Sequence, residues 1–506
     1  MNLVPYTVTA LQLNNADSVS STKNTIASAV VTMKTVPNEV TAIMYDDAAG
    51  SNPATSKLTN ASGFVVVWIE SGSYLLSVNG TNSYITAGAK TINSTIIANV
   101  PSDFATMQDV IDYYSQSFIF SSDGLVEINI ESGHQPASGI AVSNGDYSKF
   151  IISSDNAEVT LAPSFNPNTS VINCINSKSP VLNTLFDCNG IIDTAAFNLT
   201  GGSTGFVNPG KGMKNGNNRG LHVQNSSNCY ADYAVFTGFG QAGVHSSRDG
   251  TVQCSYADFS GCSQDPANTF GAVYASRGSL IHGADMDASN SGGDGVRVQR
   301  QATIVCAGVN VSGCAKISFV VNGGNISCDS SPPIMTAIQG QAAVVSSGGQ
   351  IHMGINTITF AAGMTDKAID CENGRVIAKG ITMSGYEGIG VYALGANSLI
   401  DVSDITLSGG TYGIWALDNA NVNAESCTIT GASAIGVNCV SGSKVSVEDG
   451  SVTGSGSLDI NMSKGGWVTA TNCTTTAGVG TPAIADTNMS AGFNFSNNGS
   501  KGFLWV

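Results

Sequence analysis

A short unit returns at Gly390, Gly413 and Gly436, with a step of 23 residues each time. Each copy opens with a small residue followed by a branched aliphatic one. Further copies begin at Gly220, Gly243, Ala272, Gly295 and Ala368, and the uneven steps between them imply insertions at turns. The second half of the unit is also regular, as in "TVQCSYADFSG", "RVIAKGITMSG", "NVNAESCTITG" and "KVSVEDGSVTG". A period this short, made only of strands and turns, excludes a helical solenoid and is too brief for a propeller blade. It suits a parallel β-helix, in which about three short strands form a coil and each coil stacks ~4.8 Å above the last. One coil cannot bury its apolar side chains alone. Stacked coils bury them in a continuous column, so the inward positions must stay small or aliphatic throughout.

Composition agrees with an all-β chain. Charged residues are 11% of the 506, so the helix formers Glu, Lys and Arg are scarce, and 42% apolar content argues against disorder. The net charge of −16, with only 20 Lys and Arg, would repel nucleic acid over most of the surface. The cations that exist can still hold an acidic polysaccharide where they cluster. No apolar run reaches the ~18 residues of a membrane span, and "MNLVPYTVTA" lacks the basic-then-apolar build of a signal peptide. Synthesis in a cytoplasm, without Sec-type export, is therefore expected. The twelve cysteines form no CxxC pair. Cys254 and Cys306 fall at equivalent positions of two units, which points to buried free thiols used as small core residues. No cofactor and no obligatory metal are expected.

The chain divides by pattern into four parts. Residues 1–98 hold strand-rich segments separated by "AAGSNPATSKLTNAS" and suggest a small antiparallel β-sandwich. Residues 99–123 contain "VPSDFATMQDVIDYYSQ", where Phe104, Met107, Val110, Ile111 and Tyr114 follow helical spacing. Ser102 or Asp103 would cap this short helical neck. Residues 124–490 are the repeat. Residues 491–506, with an apolar end, are expected to cap the last coil or meet another subunit.

Side chains alternate faces along a strand. Val244, Val273, Val296, Ile369, Val391, Ile414 and Val437 are the constant apolar position and should point inward. Their successors should form an outward column: His222, His245, Tyr274, Arg297, Ser318, Gln339, Asp370, Tyr392, Trp415, Asn438 and Asn461. The core sets the frame and leaves this column free to vary. Aromatic faces suit pyranose rings, while Arg and Asn suit carboxylates and hydroxyls. A glycan groove, a subunit interface and a plain polar sheet face all remain open.

This layout resembles a bacteriophage tailspike or tail-fibre protein with a right-handed parallel β-helix of the pectate-lyase-like type. "VEINIESGHQPASGIAVSNGDYSKFIISSDNAEVTLA" is similar to the first coils of many tailspikes, and "VTAIMYDDAAGSNPATSKLTNASGFVVVWIESGSYLLSVNG" resembles a module at tail-fibre N-termini. The resemblance spans nearly the whole chain as architecture. It implies a homotrimer on the virion, attached to a tail or baseplate protein through the N-terminal part. It also implies a β-helix that binds, and often cuts, host surface polysaccharide. The chain departs from the pattern by ending soon after the last coil, without a large C-terminal trimerisation domain.

Two constellations can carry chemistry. Asp370 and Glu372 lie two apart on one strand, ~6.5–7 Å at the backbone, a spacing compatible with an inverting glycosidase. Tyr392 and Trp415 follow on the next two coils, beside Asn438. Against catalysis stands the ordinary fate of exposed carboxylates, which is to be solvated. The second set is His245, Tyr274 and Arg297, with His222, Arg248, Asp249 and Arg277 around them. A cation that neutralises a uronate and a nearby base are what a polysaccharide lyase needs. Equally, Arg248 and Arg277 could simply pair with Asp249 or Asp258. Hydrolysis of host surface glycan is the leading expectation. The alternatives are a lyase and a non-enzymatic receptor-binding or structural protein on the same scaffold. A deacetylating esterase finds no Ser-His-Asp signature.

Overall fold

The computed structural model describes residues 3–476 except 10, 14–22, 26–27, 36–39, 48, 63, 71, 88–89, 266–268 and 355, together with the strand Phe503–Trp505. The chain separates into two compact units, one of residues 1–131 with 149–153, the other of 132–148 with 154–506.

In the first unit, four antiparallel strands, Ser56–Leu58, Val30–Thr35, Gly72–Val78 and Thr81–Ala87, form one sheet. Leu3–Thr9 pairs antiparallel with Phe64–Glu70. Val31, Met33, Tyr74 and Leu76 from the sheet share one core with Val8, Val67 and Ile69 from the pair, which is the β-sandwich the composition suggested. The helix runs from Met107 to Ser117 and buries Met107, Val110 and Ile111. Its cap is Thr106, whose hydroxyl accepts from the Asp109 N–H while the Asp109 carboxylate accepts from the Thr106 N–H. That reciprocal box displaces Ser102 and Asp103 as caps and leaves Phe104 outside the helix. The parallel rungs start before it, since Thr95–Val100 pairs in parallel with Leu125–Ile130.

The second unit is a parallel β-helix with three faces. One face is a sheet of 14 parallel strands from Ile140–Ser143 to Leu458–Ser463. A second sheet runs from Lys178–Leu182 to Trp467–Thr469, with Phe503–Trp505 pairing in parallel beyond it. The expected cap at 491–506 otherwise lies outside the described residues. The third face is two sheets, Val159–Thr160 to Val235–Thr237 and Met335–Ile338 to Thr474–Thr475, joined through single bridges at Asp258, Asp287 and Asn310.

The register explains the repeat. Val244, Val273, Val296, Phe319, Ala343, Ile369, Val391, Ile414, Val437 and Ile460 are paired coil to coil and are fully buried or nearly so. Each buried aliphatic of this size contributes roughly 1.5–3 kcal/mol. The small residue before it is set by close approach. A Cβ on Gly413 would lie 2.5 Å from the Gly436 carbonyl oxygen and 2.5 Å from Ile429 Cγ2. Polar ladders bind the coils as well: Asn461 donates to Asn438 at 2.8 Å and Asn198 to Asn173 at 2.8 Å. All twelve cysteines are free thiols, eleven of them buried.

One part of the expected column is corrected. Between Arg297 and Asp370 the register places Val320 and Val344, not Ser318 and Gln339. Ser318 is fully buried and Gln339 lies outside the strands, because Ile317–Asn322 presents Phe319 inward and Val320 outward. Nor is the column freely solvated: His222, His245, Asp370 and Asn438 are each less than a tenth exposed, covered by their neighbours above and below.

Candidate functional site

The 14-stranded sheet brings both predicted constellations onto one face. Asp370 and Glu372 sit on Lys367–Glu372, and the next two strands add Tyr392 and Trp415 at the register of Asp370. Lys367 Nζ is 2.8 Å from Asp370 Oδ2 and 3.6 Å from Glu372 Oε1. Those two oxygens are therefore no more than about 6.4 Å apart, a limit that admits the ~5–5.5 Å of a retaining pair and falls just short of the ~6.5–9.5 Å inverting range. The same ammonium lies 3.9 Å from the centre of the Tyr392 ring, a cation–π contact. Tyr392 meets Trp415 edge-on at 6.1 Å, and Tyr412 packs 4.6 Å from Trp415.

The two carboxyls differ in environment. The Asp370 side chain is 11% exposed, whereas that of Glu372 is 45% exposed. Burial pushes the Asp370 carboxyl above its ordinary range, against the opposing pull of Lys367. Lys367 is raised in turn: burial works against its charge, but the carboxylates outweigh it. Two buried polar atoms here have no hydrogen-bond partner, Asp370 Oδ1 and Trp415 Nε1. A buried acceptor and a buried donor left open on one face are what a ligand hydroxyl would satisfy.

The second constellation lies on the strands Arg219–Gln224, Ala242–Ser247, Gly271–Ser276 and Asp294–Gln299. His222 stacks on His245 at 4.7 Å, and His245 on Tyr274 at 4.5 Å. Each imidazole Nε2 meets a serine hydroxyl one coil on, Ser247 and Ser276, at 3.3 Å. Burial, helped by nearby arginines, lowers His222 to about 3 and His245 well below its usual value, so both rings are neutral near pH 7. Arg297 is tied by Asp294 at 2.5 Å, and the Gln299 amide, oriented with its oxygen toward Arg297, accepts at 2.8 Å from Nε and from Nη2. The expected pairing of Arg248 or Arg277 with Asp249 or Asp258 is not formed among the described residues. Asp249 packs beneath Gly278 and is not part of the cavity lining.

The sheet thus collects Asp370, Glu372, Tyr392 and Trp415 in one place, and His222, His245, Tyr274, Arg248 and Arg277 in another. Asn438 is spent on the asparagine ladder. Three features escaped the sequence reading. Arg219 and Arg300 join the second cavity, and the run of Arg248 and Arg277 at one turn was the signal for Arg300 one coil on. Separately, the second sheet carries a 760 Å³ groove lined by Arg375, Leu399, Asn421, Lys444 and Trp467, the first residues of the regular half-units.

No protein-family model matches the chain. No curated protein matches it either. Among solved structures, it is similar to the catalytic unit of a thermostable GH87 α-1,3-glucanase from Streptomyces thermodiastaticus strain HF3-3, at 10% identity over 100% of this chain and 88% of that one, with a TM-score of 0.27. It is also similar to the Agl-KA catalytic domain, at 9% identity over 94% and 84%, with a TM-score of 0.28. Similarity at this level assigns no activity to the chain.

Proposed function

We propose that this protein is a polysaccharide depolymerase, a glycoside hydrolase that cuts an extended glycan lying along the 14-stranded sheet. The observation that carries the reading is the unequal carboxyl pair. Asp370 is buried, raised and left with one open oxygen, while Glu372 beside it is half exposed. Pairs whose environments push their proton affinities apart divide into acid and base. Asp370 serves as the acid that protonates the leaving glycosidic oxygen. Glu372 serves as the base that activates water, or as the nucleophile if the carboxyls close to the retaining distance. Lys367 bridges the two carboxyls and holds them in place before substrate arrives. Tyr392 and Trp415 offer ring faces and the Trp415 N–H to adjoining sugars. In the biological setting we assign, the chain is a trimeric phage tailspike, its N-terminal unit holds a tail or baseplate protein, and its substrate is the host's capsule, exopolysaccharide or lipopolysaccharide.

The test is incubation of bacterial surface polysaccharides with wild-type protein and with Asp370→Asn/Glu372→Gln. Chain length, new reducing ends and ultraviolet absorbance of a new sugar double bond are followed together. Shortening without the absorbance, lost in the variant, supports the hydrolase. Shortening with the absorbance moves the chemistry to His245, Tyr274 and Arg297. Retention without shortening makes the protein an adhesin.

A further inference from the structure

We propose that the cavity formed by Arg219, Arg248, Arg277 and Arg300 around the His222–His245–Tyr274 stack binds a carboxylate-bearing sugar, a uronic acid unit of an extended acidic glycan. The glycan half of this inference rests on the function proposed above; the anion half does not.

The distribution of arginine comes first. The chain has six, and five lie between Arg219 and Arg300. Four of them line one cavity of 380 Å³, within the size range of ligand pockets, and no Asp or Glu lines it. Among the described residues none of the four forms an ion pair. In a chain of net charge −16, four guanidiniums gathered without a counter-ion form a local exception to the surrounding field.

The backbone adds a second argument. Arg248, Arg277 and Arg300 occupy the same turn of three consecutive coils, with φ of 50°, 56° and 53°. The next three coils place Gly323, Ser347 and Asn373 there, all at positive φ as well (67°, 56° and 56°), so the turn is left-handed throughout and the guanidiniums alone set these three coils apart. Like charges stacked ~5 Å apart repel. Like charges stacked at one turn, with no ion pair among the described residues, mark a place suited to an anion.

The third argument is open hydrogen-bonding capacity. His245 is 7% exposed and its Nδ1 has no partner; the Arg219 Nε is likewise buried and unpartnered. The floor is aromatic rather than bare charge. Tyr274 and Phe270 meet edge-on at 5.0 Å, and the Arg219 guanidinium lies 5.0 Å over Phe270. Guanidinium forks for a carboxylate beside ring faces for C–H groups fit a sugar acid better than an inorganic anion. Asp370 stands three rungs beyond Arg297 in the register, roughly 14 Å, so a bound chain can reach the carboxylate pair.

Arginine modification by phenylglyoxal, mapped by mass spectrometry, tests the site without requiring cleavage. The probes are glucuronate, galacturonate, glucose and inorganic phosphate, on the wild-type protein and on Asp370→Asn/Glu372→Gln. The expected result is slowed modification of Arg219, Arg248, Arg277 and Arg300 by either uronate, not by glucose, with Arg375 reacting at an unchanged rate in both proteins. Retention of oligogalacturonate should fall about tenfold for each Arg→Gln change at positions 248, 277 and 300. Circular dichroism and the thermal midpoint should hold, because the changes remove repulsion. No protection by either uronate overturns the inference. Equal protection by glucose removes the role of charge. Phosphate protecting better than the uronates would make this an inorganic-anion site and overturn the sugar assignment. Failure to cleave any glycan, with protection intact, would sink the hydrolase and leave the anion site standing.

Discussion

On the coils from Arg219 to Arg300 four guanidiniums, with no counter-ion among the described residues, surround a stack of neutral rings. On the coils from Lys367 to Trp415 the outer positions carry two carboxylates held by one ammonium beside Tyr and Trp. The inner column barely changes between the two, from Val244 and Val273 to Ile369 and Val391, all fully buried. The fold is maintained from inside, so the outer face can change chemistry coil by coil without disturbing the stack. The contrast lies in neutralisation. The carboxylate region sets one ammonium against two carboxyls and raises one of the acids, which suits proton transfer. The arginine region leaves its charge unbalanced, which suits capture of an external anion. Val320 and Val344 stand between them and keep the two apart.

The largest effect should come from the carboxylates. Asp370→Asn with Glu372→Gln is expected to lower the depolymerisation rate about a thousandfold or more, while the protein still retains glycan on an affinity matrix. If rate and retention fall together, the pair is a binding element rather than acid and base. Next comes Arg248→Gln/Arg277→Gln/Arg300→Gln. On an acidic glycan KM should rise by about two to three orders of magnitude, the combined effect of three roughly tenfold losses, and the salt dependence of binding should flatten. A variant as salt-sensitive as the wild type would break the contrast between the regions.

The histidines give a pH signature belonging to one region alone. His222 is lowered to about 3 and His245 well below its ordinary value, by burial first and neighbouring positive charge second. The unfolded chain takes up protons near pH 6.5 that the folded chain refuses. Stability is therefore fully retained above that pH and lost progressively as pH falls toward 3. At pH 5 the His222 ring should cost roughly 2 kcal/mol, and His222→Gln and His245→Gln should each flatten the acid side of a denaturation series. The smallest effect is at Trp415→Ala, where loss of a ring face should raise KM by up to about tenfold with kcat little changed.

Much of this was legible in the sequence because the core repeats. Val244, Ile369 and Val437 declare their inward direction by recurring, and His245, Asp370 and Trp415 are then located as their successors. The reading failed where the repeat is interrupted. On two coils Phe319 and Ala343, not a branched aliphatic residue, take the inward position, so Val320 and Val344 stand where Ser318 and Gln339 are expected. Burial was also misjudged: alternation tells which side of the sheet a residue takes, not how tightly successive coils cover it, and His222 and Asp370 are sealed by their own neighbours. Arg219 was missed because its role depends on Phe270, 51 residues away and outside the strand pattern. The cap at Thr106 is legible as Thr-x-x-Asp, a stronger signal than Ser102 or Asp103 alone.

The most direct test of two separate sites on one sheet is a paired binding and cleavage assay on one acidic surface polysaccharide, native and carboxyl-reduced, using the carboxylate double variant and the arginine triple variant. Two sites predict that the first variant binds the native glycan without cutting it. They also predict that the second loses preference for the native over the reduced glycan. If both variants lose binding and cleavage of both glycans in parallel, the two regions are a single site, and the division drawn here is wrong.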